Sequence, residues 1–492
     1  MLRLLSPSSR AATISVLRFA LLAATGFFTV GVSLFAAGSA GAAEPNPPHP
    51  SRPNIIFFLS DDHRADMLGC AGHKIVKTPN IDRLAANGVR FENAFVTTSI
   101  CAASRASLFT GTWERTHRST FGTPRLAARL VDDSYPVQLR QAGYRTGFVG
   151  KYGVSMNRED RKRMWDSLTI LTRTPYVKKL PNGRTRHLTD IIGDRAIEFV
   201  DSCTDKQPFC LSVSFNAAHA EDNDKKDHYP WPPTEDGLYD DVVIPPPLVS
   251  TDHWKQLPRF FDKSMNRNRY FWRWDTPEKY QKNVKAYYRM LTGLDRNIGR
   301  VLATLKEKGL AENTVVIFTG DNGYYKGSRG FAGKWTHFEE SLRVPLVVFD
   351  PRVAEVRRGR VIEQMALNVD LASTMLAAAG LSIPESHQGR DLLPLVHKQL
   401  VTEWRSDFFC EHLMDDKTVP KWEGVRGSRY VYARYFENLP EGEFLYDLEK
   451  DPQQLTNLVS DAASAEALAK MRTRCDQLRD KLGGKYRPHG KR

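Results

Sequence analysis

Asp61 and Asp62 stand side by side in Ser60-Asp61-Asp62-His63, directly after the apolar run 54–59 (NIIFFL). Adjacent carboxylates at the end of a buried strand repel each other unless a cation neutralises them. A second pair, Asp321-Asn322, follows another apolar run and is closed by Gly323. Three carboxylates and an amide oxygen form a hard, all-oxygen ligand set that suits Ca2+ or Mg2+. Asp-Asn-Gly alone is ordinary turn chemistry. Two such segments at matching strand ends favour a metal.

Between them lies Ser99-Ile100-Cys101-Ala102-Ala103-Ser104-Arg105, continuing to Phe109-Thr110-Gly111. A lone cysteine is usually a small core residue. Cys101 differs in having Arg105 four residues on, at helical spacing, in a Ser/Thr-rich segment. His219 closes Asn216-Ala217-Ala218-His219 after the apolar run 209–215. A single loop histidine is ordinarily a surface residue, yet a histidine at a strand end is placed where ligand sites form and can exchange a proton near neutral pH.

These residues need a scaffold that brings distant strand ends together. Short apolar runs at 54–59, 146–149, 209–215, 314–319 and 345–349 read as strands buried on both faces. Helical stretches lie between them, including 80–87, stopped by Gly88, and 279–308, stopped by Gly309. Alternation of this kind predicts an α/β domain with a large, mostly parallel sheet flanked by helices, its site at the carboxyl ends of the strands. Near Thr402 the pattern changes: 429–435 alternates with period two, 443–448 is a short strand and 462–482 a closing helix. The predicted organisation is a catalytic domain over 53–400 and a smaller C-terminal α+β subdomain over 401–492.

The chain carries a net charge of +13, which favours an anionic partner without choosing among nucleic acid, lipid and sulfated polymer. Residues 1–43 read as an export signal: Arg3, Arg10 and Arg18 precede and flank an uncharged apolar stretch that ends in small residues. A Pro-rich linker over 44–52 follows. The expected location is periplasmic or extracellular, with no membrane contact after signal cleavage. Six cysteines are too few for a disulfide scaffold. Cys203 and Cys210 could bridge or remain free thiols.

The residues around Cys101 resemble the first signature of the type I, formylglycine-dependent sulfatases, C-x-[PA]-S-R followed by A-S-L-F-T-G. The stretch Thr78 to Ala85 is similar to the family's T-P-N-I-D-R-L-A. Gly143 to Lys151 matches the second signature, G-Y-x-T-x-x-x-G-K. Asp321-Asn322-Gly323 and the span from Lys334 to Pro345 match later motifs, and Tyr446 to Leu458 is similar to the family's closing strand and helix. The resemblance implies an alkaline-phosphatase-like fold.

It also implies a chemistry. Cys101 would be oxidised by a dedicated maturase to formylglycine, whose hydrate attacks sulfur with one hydroxyl and expels sulfate with the other. Asp61, Asp62, Asp321 and Asn322, with the converted Cys101, would hold Ca2+ in preference to Mg2+. Arg105 would brace the hydrate, Lys151 and Lys334 would face the sulfate oxygens, and His219 would protonate the leaving alcohol. Two positions depart from the family. Ala103 stands where many members have proline. Gly150-Lys151-Tyr152-Gly153 lacks the histidine that usually ends the second signature. His117 or His337 is expected to replace that base.

The segment 259–289 interleaves aromatic and basic residues. It could stack on sugar rings and pair with sulfates, or bind single-stranded nucleic acid, or pack its aromatics inward between helices. The expected substrate is a sulfated carbohydrate, with no nucleic-acid partner. The rival readings are a phosphonate or phosphodiester hydrolase on the same core, and a non-catalytic binder of sulfated glycans.

Overall fold

A computed structural model describes residues 52–224 and 226–488. The expected signal segment 1–43, and the Pro-rich linker apart from its last residue, lie outside them. The main sheet has eight strands: β1 (Asn54–Ser60), β2 (Val89–Phe91), β4 (Arg145–Gly150), β5 (Ser167–Ile170), β8 (Phe209–Ser214), β9 (Thr314–Gly320), β10 (Leu346–Phe349) and β11 (Arg360–Ile362). Their order is β11-β2-β10-β9-β1-β8-β4-β5. Every pairing is parallel except those of β10, which runs against both β9 and β2. Two small ribbons accompany it: β3 (Ala94–Phe95) pairs with β12 (Ala366–Leu367), and β6 (Val177–Lys179) with β7 (Thr185–His187).

All seven residues of β1 are buried, as its apolar sequence requires. Alternation across the strand divides them between two cores. Ile55, Phe57 and Leu59 face one, and Ile56 and Phe58 face the other. The sheet is thus covered on both faces, the arrangement expected for parallel strands joined by helical crossovers. The helix Pro79–Asn87 begins with proline at its first turn and buries Ile81, Leu84 and Ala85. The helix Pro277–Glu307 is capped by the Thr276 side chain, which accepts from the Lys279 amide.

A second, antiparallel sheet runs β13 (Asp407–His412), β14 (Trp422–Gly427), β15 (Tyr430–Arg434), β16 (Glu443–Asp447). The helix Ala465–Lys481 follows it and buries Leu468 and Cys475. Phe408, Trp422, Tyr435 and Phe444 of this region join the same apolar cluster as Ile55 and Phe57. All six cysteines are free thiols, so Cys203 and Cys210 form no bridge. Among the described residues no helix is long and apolar enough to cross a membrane.

Candidate active site

Parallel register puts four strand ends on one edge. Ser60 of β1 lies opposite Gly320 of β9, Leu59 opposite Ser214 of β8, and Ser214 opposite Gly150 of β4. Asp61-Asp62, Asp321-Asn322, Asn216 to His219 and Lys151 therefore emerge together. Cys101 joins them as the first residue of the buried helix Cys101–Thr110, which ends at Gly111 in the left-handed conformation.

Arg105 is 1% exposed and ties these ends together. Its Nε donates to Asp321 Oδ2 at 2.8 Å, and its Nη1 to the Lys151 carbonyl at 2.6 Å. Nη1 also donates to the Ser214 hydroxyl. The Lys151 ammonium pairs with Asp61, and the Lys334 ammonium with Asp62. Asn322 Nδ2 donates to Asp62 Oδ1 at 2.7 Å, and the Asp62 amide to Asp321 Oδ1 at 3.2 Å. The Tyr287 hydroxyl donates to the Asp62 carbonyl at 2.6 Å.

Opposed effects set the charges. Burial works against ionising Asp61, but Lys151, Lys334 and Arg105 outweigh it and hold that carboxyl below its usual range. Burial and the neighbouring Asp61 push the Asp321 carboxyl up, against the pull of Arg105. Burial disfavours the Lys334 ammonium, yet Asp62, Cys101 and Asp61 raise it above its ordinary value. His219 is held neutral by burial and by Arg173, Lys334 and Lys151. Arg173 Nη1 lies 2.5 Å from His219 Nδ1 and 3.1 Å from Nε2, and Nδ1 is 2.8 Å from the Ala220 carbonyl. That carbonyl can only accept and the guanidinium can only donate, so the neutral ring donates Nδ1–H to Ala220 and keeps its lone pair on Nε2.

The acidic residues fit a hard cation. Asp61, Cys101 and Asp321 offer ligand atoms within 4.8 Å of one another, as do Asp61, Asp62 and His219. Asp61 Oδ1 and Asn322 Oδ1 are buried with no hydrogen-bond partner. Buried oxygens are normally satisfied, and a bound cation would satisfy both.

A cavity of roughly 530 Å3 opens over this cluster, in the range that holds small ligands. Cys101, Lys151, His219 and Lys334 line it, together with Arg173 and Arg269. Neither His117 nor His337 does. His117 Nε2 is 3.0 Å from the Ser107 hydroxyl, and its Nδ1 accepts from the Ser119 amide at 3.0 Å. His337 bonds the Tyr435 hydroxyl at 3.0 Å and packs against Phe338, Phe444 and Tyr446. The expectation that one of them replaces the missing base therefore draws no support from where they sit.

The 259–289 segment divides. Phe261, Tyr270 and Trp274 are buried, as inward packing requires. Arg269 instead reaches the cavity. Arg173, Asp222 and Trp335 also line the cavity, and none of them stood out in the sequence. Arg173 is a single charged residue in a loop, and Asp222 belongs to the charged run 221–227 (EDNDKKD), which reads as a solvated loop.

Comparison with known proteins bears on the family. A sulfatase family model matches residues 53–381, and a model of the C-terminal region of N-sulphoglucosamine sulphohydrolase matches 327–481. The chain is 26% identical to an N-acetylglucosamine-6-O-sulfatase of Bacteroides thetaiotaomicron, over 89% of this chain and 88% of that protein. It is 26% identical to an arylsulfatase of Clostridium perfringens, over 86% and 93%. Its fold superposes with a TM-score of 0.75 on a structure solved with its substrate D-glucosamine-2-N,6-O-disulfate, at 23% identity over 88% of this chain and 98% of that one. A phosphonate monoester hydrolase of Agrobacterium radiobacter shares the fold at a TM-score of 0.71, 23% identity, and 88% and 96% coverage. With the sulfatase model spanning well over half of its length, the chain belongs to the sulfatase family and is a sulfuric ester hydrolase.

Proposed function

We propose that this protein removes sulfate from a sulfated carbohydrate, using formylglycine made from Cys101 by a maturase, with Ca2+ held by Asp61, Asp62, Asp321 and Asn322. The observation that carries this reading is the convergence of Cys101, Lys151, His219 and Lys334 on one cavity above the acidic cluster. Hydrated formylglycine would supply the nucleophile, and Ca2+ would favour its ionised form. Arg105, fixed by Asp321 and the Lys151 carbonyl, orients residue 101. Lys151 and Lys334 pair with Asp61 and Asp62 and are within reach of an incoming sulfate, where their charge stabilises the transition state. A bound sulfate also offsets the cations that keep His219 neutral, so the ring can take up a proton and deliver it to the leaving alcohol. The apolar cavity wall formed by Phe121, Trp335 and Met414 suits the carbon face of a sugar.

The proposed setting is the periplasm or the extracellular space, reached through the signal segment. Mass spectrometry of the tryptic peptide ending at Arg105 tests the modification. Parallel assays on aryl sulfate and aryl phosphonate esters test the reaction. Full activity with an intact Cys101 thiol would overturn the nucleophile, and preference for the phosphonate would overturn the substrate class.

A further inference from the structure

Beyond His219, the cavity holds a concentration of positive charge that hydrolysis of a single sulfate does not require. Three guanidinium groups converge on the carboxylate of Asp222. Arg269 Nη2 lies 3.1 Å from Asp222 Oδ2, Arg173 Nη2 lies 3.4 Å from the same oxygen, and Arg273 pairs with Oδ1. The Asp222 carboxylate is thus shared by three cations, at side-chain exposures of 24% for Arg173, 16% for Arg269 and 0% for Arg273, and Arg173 also feels Asp61 and Glu221. The Nε atoms of all three, and Nη1 of Arg273, are buried without a hydrogen-bond partner. Buried guanidinium N–H groups without acceptors are costly, and a second anion at the exposed side of the cluster would offset that cost.

The cluster adjoins the reaction site. Arg173 touches the His219 ring with Nη1 and Asp222 with Nη2, so it bridges the two. Arg269 lies over the Trp335 ring at 5.1 Å, and Trp335 follows Lys334 directly. Arg173, Asp222, Arg269 and Trp335 line the same cavity as Cys101 and Lys151. A group held at Arg269 would belong to the molecule whose sulfate sits at Lys151 and Lys334. Arginine in this setting binds planar or tetrahedral oxyanions through paired N–H donors.

We propose that Arg269 and Arg173 form a second anion subsite, and that the substrate is a sugar carrying a second sulfate or carboxylate beside the sulfate to be removed. This rests on the carbohydrate sulfatase reading and narrows its substrate to doubly anionic sugars. Asp222 pairs with all three arginines and holds them together against their mutual repulsion. Arg273, fully buried, fixes Asp222 in turn.

Binding tests this apart from turnover. The full chain with Cys101 unconverted, in Ca2+-containing buffer, is titrated calorimetrically with three sugars of one backbone: monosulfated, disulfated, and monosulfated with a neighbouring carboxylate. The disulfated or the carboxylated sugar, or both, should bind at least tenfold more tightly than the monosulfated one, and which of them gains identifies the second anion. Arg269→Ala should erase most of that difference, and Arg269→Lys should restore part of it. Equal affinity for all three sugars overturns the proposal. So does an equal loss for all three in Arg269→Ala, which would make the arginines a clamp on the Asp222 loop. If Arg269→Ala does not fold, the wild-type comparison still decides. Converted enzyme that fails to hydrolyse an aryl sulfate would instead count against the sulfatase reading, and the binding comparison would stand by itself.

Discussion

A Cβ atom placed on Gly153 would lie 2.6 Å from Cδ of Arg105. Gly153 also adopts a φ of +73°, a conformation that L side chains rarely take. Arg105 cannot easily yield, because Asp321, the Lys151 carbonyl and Ser214 hold its guanidinium. The absence of the family's histidine at this position is thus built into the backbone. Gly153→Ala is expected to lower stability by about 1–3 kcal/mol, from left-handed strain and local overpacking. It should also reduce kcat by displacing Arg105. Gly153→His should be worse on both counts. Urea denaturation and steady-state assays of the two variants check this, and unchanged midpoints would show that the loop relaxes freely.

Arg105 makes three polar contacts with one planar group, and lysine has no fork to match them. Arg105→Lys should keep the charge opposite Asp321 but release the Lys151 carbonyl or Ser214. Arg105→Met leaves Asp321 buried beside Asp61 with no cation on that side, and breaking a buried pair in this way costs about 3–5 kcal/mol. The expected order of melting temperature is wild type, then lysine, then methionine. Thermal melts in the presence of chelator isolate the effect from bound metal. Equal melting temperatures for the two variants would contradict the assigned role of the fork.

The unpartnered oxygens of Asp61 and Asn322 predict metal-linked stability. Ca2+ should raise the melting temperature, and a hundredfold excess over its Kd corresponds to about 2.7 kcal/mol. Asn322→Ala should remove much of that rise, since it deletes one of the two oxygens. Differential scanning fluorimetry across a Ca2+ titration, reversed with chelator, measures it. A wild-type melt indifferent to Ca2+ would leave the acidic cluster to Lys151, Lys334 and Arg105.

The central strands were legible because burial on both faces leaves a continuous apolar run, as in β1 and β9. Short strands such as β2 (VRF) and β11 (RVI) carry no such signal. The strand β14 (WEGVRG) escaped notice for a different reason. Its charged residues are buried in ion pairs, Glu423 with Arg115 and Arg434, and Arg426 with Glu339. No apolar alternation marks it. In the site, residues at strand ends were readable because topology dictates where strand ends meet. Proximity along the chain does not carry over into space where the backbone turns. His337 follows Lys334 by three residues, but Trp335 between them has a φ of +80°, and the His337 ring lies in the aromatic core instead. Arg173 and Asp222 became meaningful only once folding set them beside His219 and Arg269.

Buried histidines should make the fold sensitive to acid. Burial holds the rings of His117, His187 and His412 neutral, with pKa values lowered to about 3, 4 and 3. An unfolded histidine takes up a proton near pH 6.5. Above that pH neither state is protonated, and the contribution of these rings to stability is fully present. As the pH falls, the unfolded chain binds protons that the native rings refuse, so stability declines from pH 6.5 down through the folded values. Each ring accounts for roughly 2 kcal/mol of that loss by pH 5. His117→Asn should flatten the decline, because its side-chain oxygen can still accept from the Ser119 amide in place of Nδ1. Chemical denaturation at pH 7.5 and pH 5 measures the difference, and an unaltered pH slope in the variant would exclude His117 as a contributor. The same variant separates structure from catalysis. Because the His117 ring is bonded to Ser107 and Ser119 and does not line the cavity, His117→Asn should hydrolyse an aryl sulfate with no burst of alcohol ahead of the steady state. A burst that appears only in this variant would instead place His117 in the release of sulfate.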